Sequence, residues 1–139
     1  MVKMKKQILI DTHIFLWLFL EPERFTKTAI EFVKNRKENE FYLSHASSWE
    51  VSIKFGAGKL KLPKPPELFI PQRMQRSGYL HLPIELEHAL NVHSLPQIHR
   101  DPFDRLIVSQ AKLENMSILT ADPIFSKYGV NAIKFSDIC

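Results

Sequence analysis

Five acids carry the chemical interest of this 139-residue chain: Asp11, Glu50, Asp101, Asp104 and Asp122. Asp11 closes the apolar run QILID, and Glu50 lies inside SSWEVSIKFG. Asp101 and Asp104 open HRDPFDRLIVSQA, and Asp122 follows two residues after SILT. Carboxylates gathered from separate segments repel one another and rise in pKa unless a cation joins them. Mg²⁺ and Mn²⁺ prefer oxygen donors, so a divalent ion is the natural companion of such a set. Such an ion acts as a Lewis acid and lowers the pKa of bound water, which suits metal-assisted hydrolysis.

Each acid also has a local explanation. In DPFDR, Asp101 suits an N-cap, Pro102 the first helical position and Asp104 the third, where a carboxylate favours the positive end of the helix dipole. Capping accounts for Asp101 well. It accounts less fully for Asp104, because a first-turn acid contributes only about 0.3–1 kcal/mol. Glu50 is sharper, since Trp49, Val51, Ile53 and Phe55 surround it and a buried unpaired carboxylate is costly. Lys54, four residues on, offers it a helical ion pair.

The elements that must position these acids alternate. QILID (7–11) reads as a strand and THIFLWLFL as a helix with Thr12 near its cap. TKTAIEFVKNRKEN (26–39) is an amphipathic helix and FYLS (41–44) a strand. HASSWEVSIKFGAGKL predicts a helix stopping near Gly56 and Gly58, followed by the LPKPP connector. Beyond lie a helix near 68–76, a strand YLHL, a helix near 85–92, the helix opened by DPFDR, and the strands SILT (117–120) and NAIKF (131–135). The alternation predicts a parallel sheet covered by helices on both faces. Ligands of such sheets collect beyond the carboxyl ends of the strands, and the five acids lie near strand ends or helix starts.

Composition bounds the partners. A chain of 139 residues, 45% hydrophobic and 24% charged, fits one domain spanning residues 1–139. The single cysteine, Cys139, excludes a disulfide framework and a Cys-based metal site. Lys3, Lys5 and Lys6 before IFLWLFL imitate a signal peptide, but Asp11 and His13 interrupt the apolar stretch and EPER lacks small cleavage-site residues. A cytoplasmic protein without membrane association is the expectation. The net charge of +4 is compatible with a polyanionic partner.

ILIDTHIFLW, SHASSWEVSIKFGAGKL, HRDPFDRLIVSQA and LTADPIFSKYGV resemble, in that order and at those spacings, the PIN-domain toxins of the VapC type from prokaryotic toxin–antitoxin pairs. The resemblance covers nearly the whole chain. It implies a three-layer α/β/α fold with a central parallel sheet and a metal-dependent endoribonuclease. Mg²⁺ or Mn²⁺ would be held by Asp11, Glu50, Asp104 and Asp122. Asp101 ranks as a cap first and an auxiliary acid second, and Thr120 matches the hydroxyl residue that helps position the metal or its water; a β-branched strand residue is the plain alternative. The resemblance further implies RNA cleavage leaving 5′-phosphate and 3′-hydroxyl ends, on tRNA or rRNA. It also implies a VapB-type antitoxin that obstructs the acidic site, and a homodimer.

Lys54, Arg100 and Arg105 are the basic residues nearest the acids and the candidates for holding RNA phosphates, Arg105 alternatively pairing with a site carboxylate. Of the six histidines, His13, His45 and His99 lie nearest the site, and no HExxH context exists for any. Core packing is the default reading of Trp17, Phe19, Trp49 and Phe55, although together they exceed what a small core obviously needs and would then offer apolar surface to an antitoxin. A haloacid-dehalogenase-like phosphatase also begins with a strand ending ILIDT, but His13 replaces its second aspartate. The remaining alternative is a non-catalytic PIN-like module that binds RNA or protein, for which Glu50 in an apolar helix has no use.

Overall fold

A computed structural model describes residues 4–139; Lys3, one of the basic residues weighed above, lies outside the described residues. Five parallel strands form one sheet in the order β3-β2-β1-β4-β5: β1 (Lys6–Ile10), β2 (Asn39–Ser44), β3 (Leu80–Leu82), β4 (Ser117–Thr120) and β5 (Ala132–Lys134). The first three strands step outward on one side of β1, and the chain then returns to place β4 and β5 on the other. The order therefore reverses between β1 and β4, and a crevice opens beyond the carboxyl ends of strands at such a reversal.

Side chains alternate across each strand, and the sheet is apolar on both faces. Ile8, Ile10, Phe41, Leu43 and Leu119 face one buried layer, with Ile14 and Phe15 of α1 (Thr12–Leu20), Ala29 and Val33 of α2 (Lys27–Lys34), and Phe69 and Met74 of α4 (Pro66–Ser77). Leu9 and Ile118 face the other, with Ile107, Val108 and Ala111 of α6 (Pro102–Glu114). Helix α3 (His45–Gly56) sends Val51 into the first layer and Ala46 into the second. Two cores on opposite sides of one parallel sheet make the expected three-layer α/β/α arrangement.

Some boundaries differ from the sequence reading. Helix α2 stops at Lys34 rather than running to Asn39, because Asn35 closes it and Asn39 already pairs with Lys6 in the sheet. Helix α4 starts inside the proline-rich connector, with Pro66 at its first position, where the missing N–H costs nothing. Helix α5 (Leu86–Asn91) is short. Strand β5 gives way at Phe135 to α7 (Phe135–Ile138), an unanticipated turn whose Phe135 packs on Phe25 and Trp17. Trp17 and Phe19 lie against the first core, and the Arg24 guanidinium covers Trp17 at 4.5 Å. They are more engaged than an open docking surface would be.

Buried polar pairs lock the helices that carry acids. Thr12 Oγ1 donates to Ser47 Oγ at 2.7 Å, tying α1 to α3. Ser44 Oγ caps α3 through the Ala46 N–H and donates to Gln110 Oε1 at 2.5 Å, tying α3 to α6; Gln110 in turn donates to the Pro83 carbonyl. Among the described residues, no helix is long and apolar enough to cross a membrane.

Candidate metal centre

Asp11 follows β1 directly and occupies the N-cap position of α1, yet its side chain makes no capping bond there. Its carboxylate, 3% exposed, instead accepts a 2.8 Å hydrogen bond at Oδ2 from Thr120 Oγ1, at the end of the adjacent strand β4. A capping residue that does not cap leaves its charge for another purpose. Burial pushes the Asp11 pKa up, the Thr120 bond pulls it down, and Glu50 pushes it up again.

Thr120 also accepts the Asp122 N–H at 2.9 Å, which holds Asp122 one step beyond the sheet edge. Asp122 is exposed and caps a 3₁₀ turn, Pro123–Tyr128, through Oδ1 to the Ile124 N–H. Glu50, a turn and a half into α3, is 2% exposed. Lys54 Nζ donates to its Oε2 at 2.7 Å, the helical pairing expected from their spacing, whereas Oε1 is buried with no hydrogen-bond partner among the described residues. Asp101 caps α6 as its sequence predicts, Oδ1 accepting the Phe103 and Asp104 N–H groups.

Asp104 sits one turn into α6. His99 Nε2 lies 3.0 Å from its Oδ2, and His99 Nδ1 accepts the Asp101 N–H. That acceptor role places the hydrogen of a neutral ring on Nε2, facing Asp104. The Asp104 carboxyl is pushed up to about 8, first by burial and then by the charges of Asp11, Asp101, Glu50 and Asp122. Acids from four segments therefore act electrostatically on Asp104, although among the described residues only His99, Asp101 and Asp104 of this set bring ligand atoms within 4.8 Å of one another.

The donor set fits a divalent cation. It is all oxygen apart from His99, whose nearest ligand atom lies within 4.8 Å of those of Asp101 and Asp104. The orphaned Glu50 Oε1 lacks a partner that such an ion would provide, and an unsatisfied buried carboxylate oxygen is expensive. Asp11, Glu50, Asp104 and Asp122 each have one oxygen tied by a neighbour, respectively Thr120, Lys54, His99 and the Ile124 N–H. Partners of this kind orient metal ligands.

Residues 8–131 match the PIN domain family model. The chain belongs to the PIN domain family. Over 78 residues it is 33% identical to ribonuclease VapC16 of Mycobacterium tuberculosis, covering 52% of this chain and 54% of the relative, so the chain spans about half the length of that curated protein. Solved PIN-like neighbours include VapBC2 of Rickettsia felis bound to promoter DNA (TM-score 0.70, 15% identity, 92% of this chain and 98% of that one). DNA-bound VapBC of Salmonella typhimurium gives a TM-score of 0.67 at 17% identity, covering 95% and 99%. VapBC-1 of nontypeable Haemophilus influenzae gives 0.65 at 15%, covering 94% and 98%. At these identities the likeness concerns the fold.

Within this PIN domain the basic candidates separate. Lys54 is bound to Glu50 with its side chain 42% exposed, and Arg100 is exposed. Arg105 is corrected: it is buried, and its guanidinium donates to the carbonyls of Val92, Leu95, Pro96 and His99, so it is neither turned to a phosphate nor paired with a site acid. It fastens the loop before α6 and with it the backbone of His99. The contact of His99 with Asp104 is the feature that sequence reasoning misses, its only signal being a histidine two residues before a helix cap.

Proposed function

We propose that this PIN domain is a metal-dependent endoribonuclease, the toxin of a VapBC-type pair, using Mg²⁺ or Mn²⁺ at Asp11, Glu50, Asp104 and Asp122. The carrying observation is Glu50 Oε1, buried and unpartnered among the described residues, on a side chain whose charge acts on Asp11 and Asp104. The 33% identity to a named ribonuclease over part of its length supports the reaction class, and the VapBC neighbours support an antitoxin partner.

A divalent ion bound there would supply a Lewis acid for the phosphate and a water of lowered pKa. The chain's own groups prepare the site. Thr120 donates to Asp11 Oδ2 and favours its ionised form. Lys54 neutralises one oxygen of Glu50 and leaves the other for the ion. His99 fixes the rotamer of Asp104 through Oδ2. Asp122, at the solvent edge, closes the set, and Asp101 adds negative charge beside Asp104 while capping α6. Arg100, exposed beside Asp101, and Lys54, with 42% of its side chain exposed, are the cations that would take substrate phosphates, with RNA of the tRNA or rRNA kind as the substrate class.

Purified protein incubated with RNA tests this reading: cleavage that requires Mg²⁺ or Mn²⁺ and disappears in Asp11→Asn supports it. Failure to bind Mn²⁺ by titration calorimetry would favour the non-catalytic module instead.

A further inference from the structure

The two tryptophans have different surroundings. Trp17 packs on Phe135 and the Arg24 guanidinium, whereas Trp49 is 57% exposed and belongs to neither core. Among the described residues its single ring partner is Phe103, at 5.1 Å between centroids and 79° between planes. Position gives this pair its meaning. Trp49 immediately precedes Glu50 on α3, and Phe103 immediately precedes Asp104 on α6. The rings therefore bridge the two helices that deliver two of the carboxylates. A near-perpendicular contact fixes both side chains in orientation and still leaves more than half of the indole open to solvent.

The neighbouring charge indicates the occupant. The Lys54 ammonium feels Glu50, Asp101 and Asp104, and its side chain is 42% exposed, so a cation stands at the same rim. Arg100, exposed, precedes Asp101. A rigid aromatic face beside cations, at the border of a phosphodiester-cutting site, is the recipe by which proteins hold single-stranded nucleic acid: the bases stack and the cations take phosphates. Burial of an apolar protein anchor would not call for cations at the rim. We infer that Trp49, oriented by Phe103, is a stacking platform for a base of single-stranded RNA next to the bond to be cut, a substrate-positioning residue that tolerates any base. The inference rests on the proposed ribonuclease reading.

Binding of a fluorescein-labelled single-stranded RNA is followed by anisotropy in the uncutting Asp104→Asn background with Mg²⁺, alone and combined with Trp49→Ala or Trp49→Phe. The parent's cleavage of the same RNA runs beside it. Trp49→Ala weakens binding roughly 5- to 150-fold, the loss of one stacked base, while Trp49→Phe keeps affinity within a few-fold. An RNA carrying abasic nucleotides binds the parent and Trp49→Ala backgrounds alike. In the cleaving protein the same change raises KM more than it lowers kcat. Unchanged melting temperature excludes misfolding, as the exposure of Trp49 leads one to expect. Equal affinity of the parent and Trp49→Ala backgrounds, with the parent cutting RNA, overturns the platform and leaves the ribonuclease reading standing. Loss of self-association or of antitoxin binding in Trp49→Ala, without loss of RNA affinity, also overturns it and marks a protein interface. Absence of both RNA binding and cleavage in every protein overturns the ribonuclease reading, and the platform with it.

Discussion

Replacing Asp104 with asparagine is expected to make the metal-free protein more stable. The folded carboxyl titrates at about 8 against 3.8 in the reference state, raised by burial and by four neighbouring acids. A raised carboxylate pKa means that the folded state holds the proton more tightly. The contribution of Asp104 to stability is therefore greatest below about pH 4 and falls as pH climbs from about 4 to about 8, where its loss is complete. At pH 7 the difference 7 − 3.8, taken at 1.36 kcal/mol per unit, gives a ceiling of about 4 kcal/mol. Solvent screening of a side chain that is 16% exposed discounts this to roughly 2–3 kcal/mol. The substituted asparagine keeps the shape and carries no charge, so it recovers that amount, or roughly 5–12 °C in melting temperature for a chain of this size. The assay is thermal unfolding of parent and variant in EDTA at about pH 5, 7 and 9. The gap should be small at the lowest pH and widen upward. Mg²⁺ or Mn²⁺ at about 100 times its Kd should then raise the parent by roughly 2.7 kcal/mol and the variant by less. Equal melting of the two proteins in EDTA at the higher pH values, or a less stable variant, would refute the idea that the acids repel one another and await a cation.

Other outcomes follow from the same contacts. Asp11→Asn should keep the fold and abolish RNA cleavage at equal metal, read by circular dichroism and gel assay. Thr120→Val removes the donor that favours ionised Asp11 and the acceptor of the Asp122 N–H; it should cost about 1–2 kcal/mol in stability and move the acid limb of the pH–rate profile to higher pH. Arg105→Met abandons four carbonyls of the loop before α6 and should destabilise the protein by on the order of 2–4 kcal/mol in urea unfolding.

What the sequence revealed was mostly local. Asp101, Pro102 and Asp104 announce a helix start because capping is decided within four residues. Glu50 betrays itself as a carboxylate among apolar neighbours. The β/α alternation announces a two-sided parallel sheet, and Asp11, Asp104 and Asp122 stand at strand ends and a helix start, where the alternation put them, while Glu50 lies a turn and a half into α3. The remaining features depend on distant partners. Nothing in the alternation tells that β1 lies between β2 and β4, although that order is what sets Asp11 beside Thr120. Arg105 reads as a surface cation one residue after an acid, and only the path of residues 92–99 turns it inward. His99 gains its role from the rotamer of Asp104, and the Thr12–Ser47 and Ser44–Gln110 bonds join residues 35 and 66 positions apart. Trp49 reads equally as a core residue or as apolar surface, and only the packing of α3 against α6 leaves it 57% exposed.

The central claim is that the converging carboxylates form a metal-dependent RNA-cutting site, and one measurement tests it most directly. Total cellular RNA is incubated with purified protein free of any antitoxin, in Mg²⁺ or Mn²⁺ and again in EDTA, beside Asp104→Asn. The account predicts discrete fragments with 5′-phosphate ends that require the metal and are absent from the variant. Fragments that persist in EDTA, or that Asp104→Asn yields as fast as the parent, would contradict it.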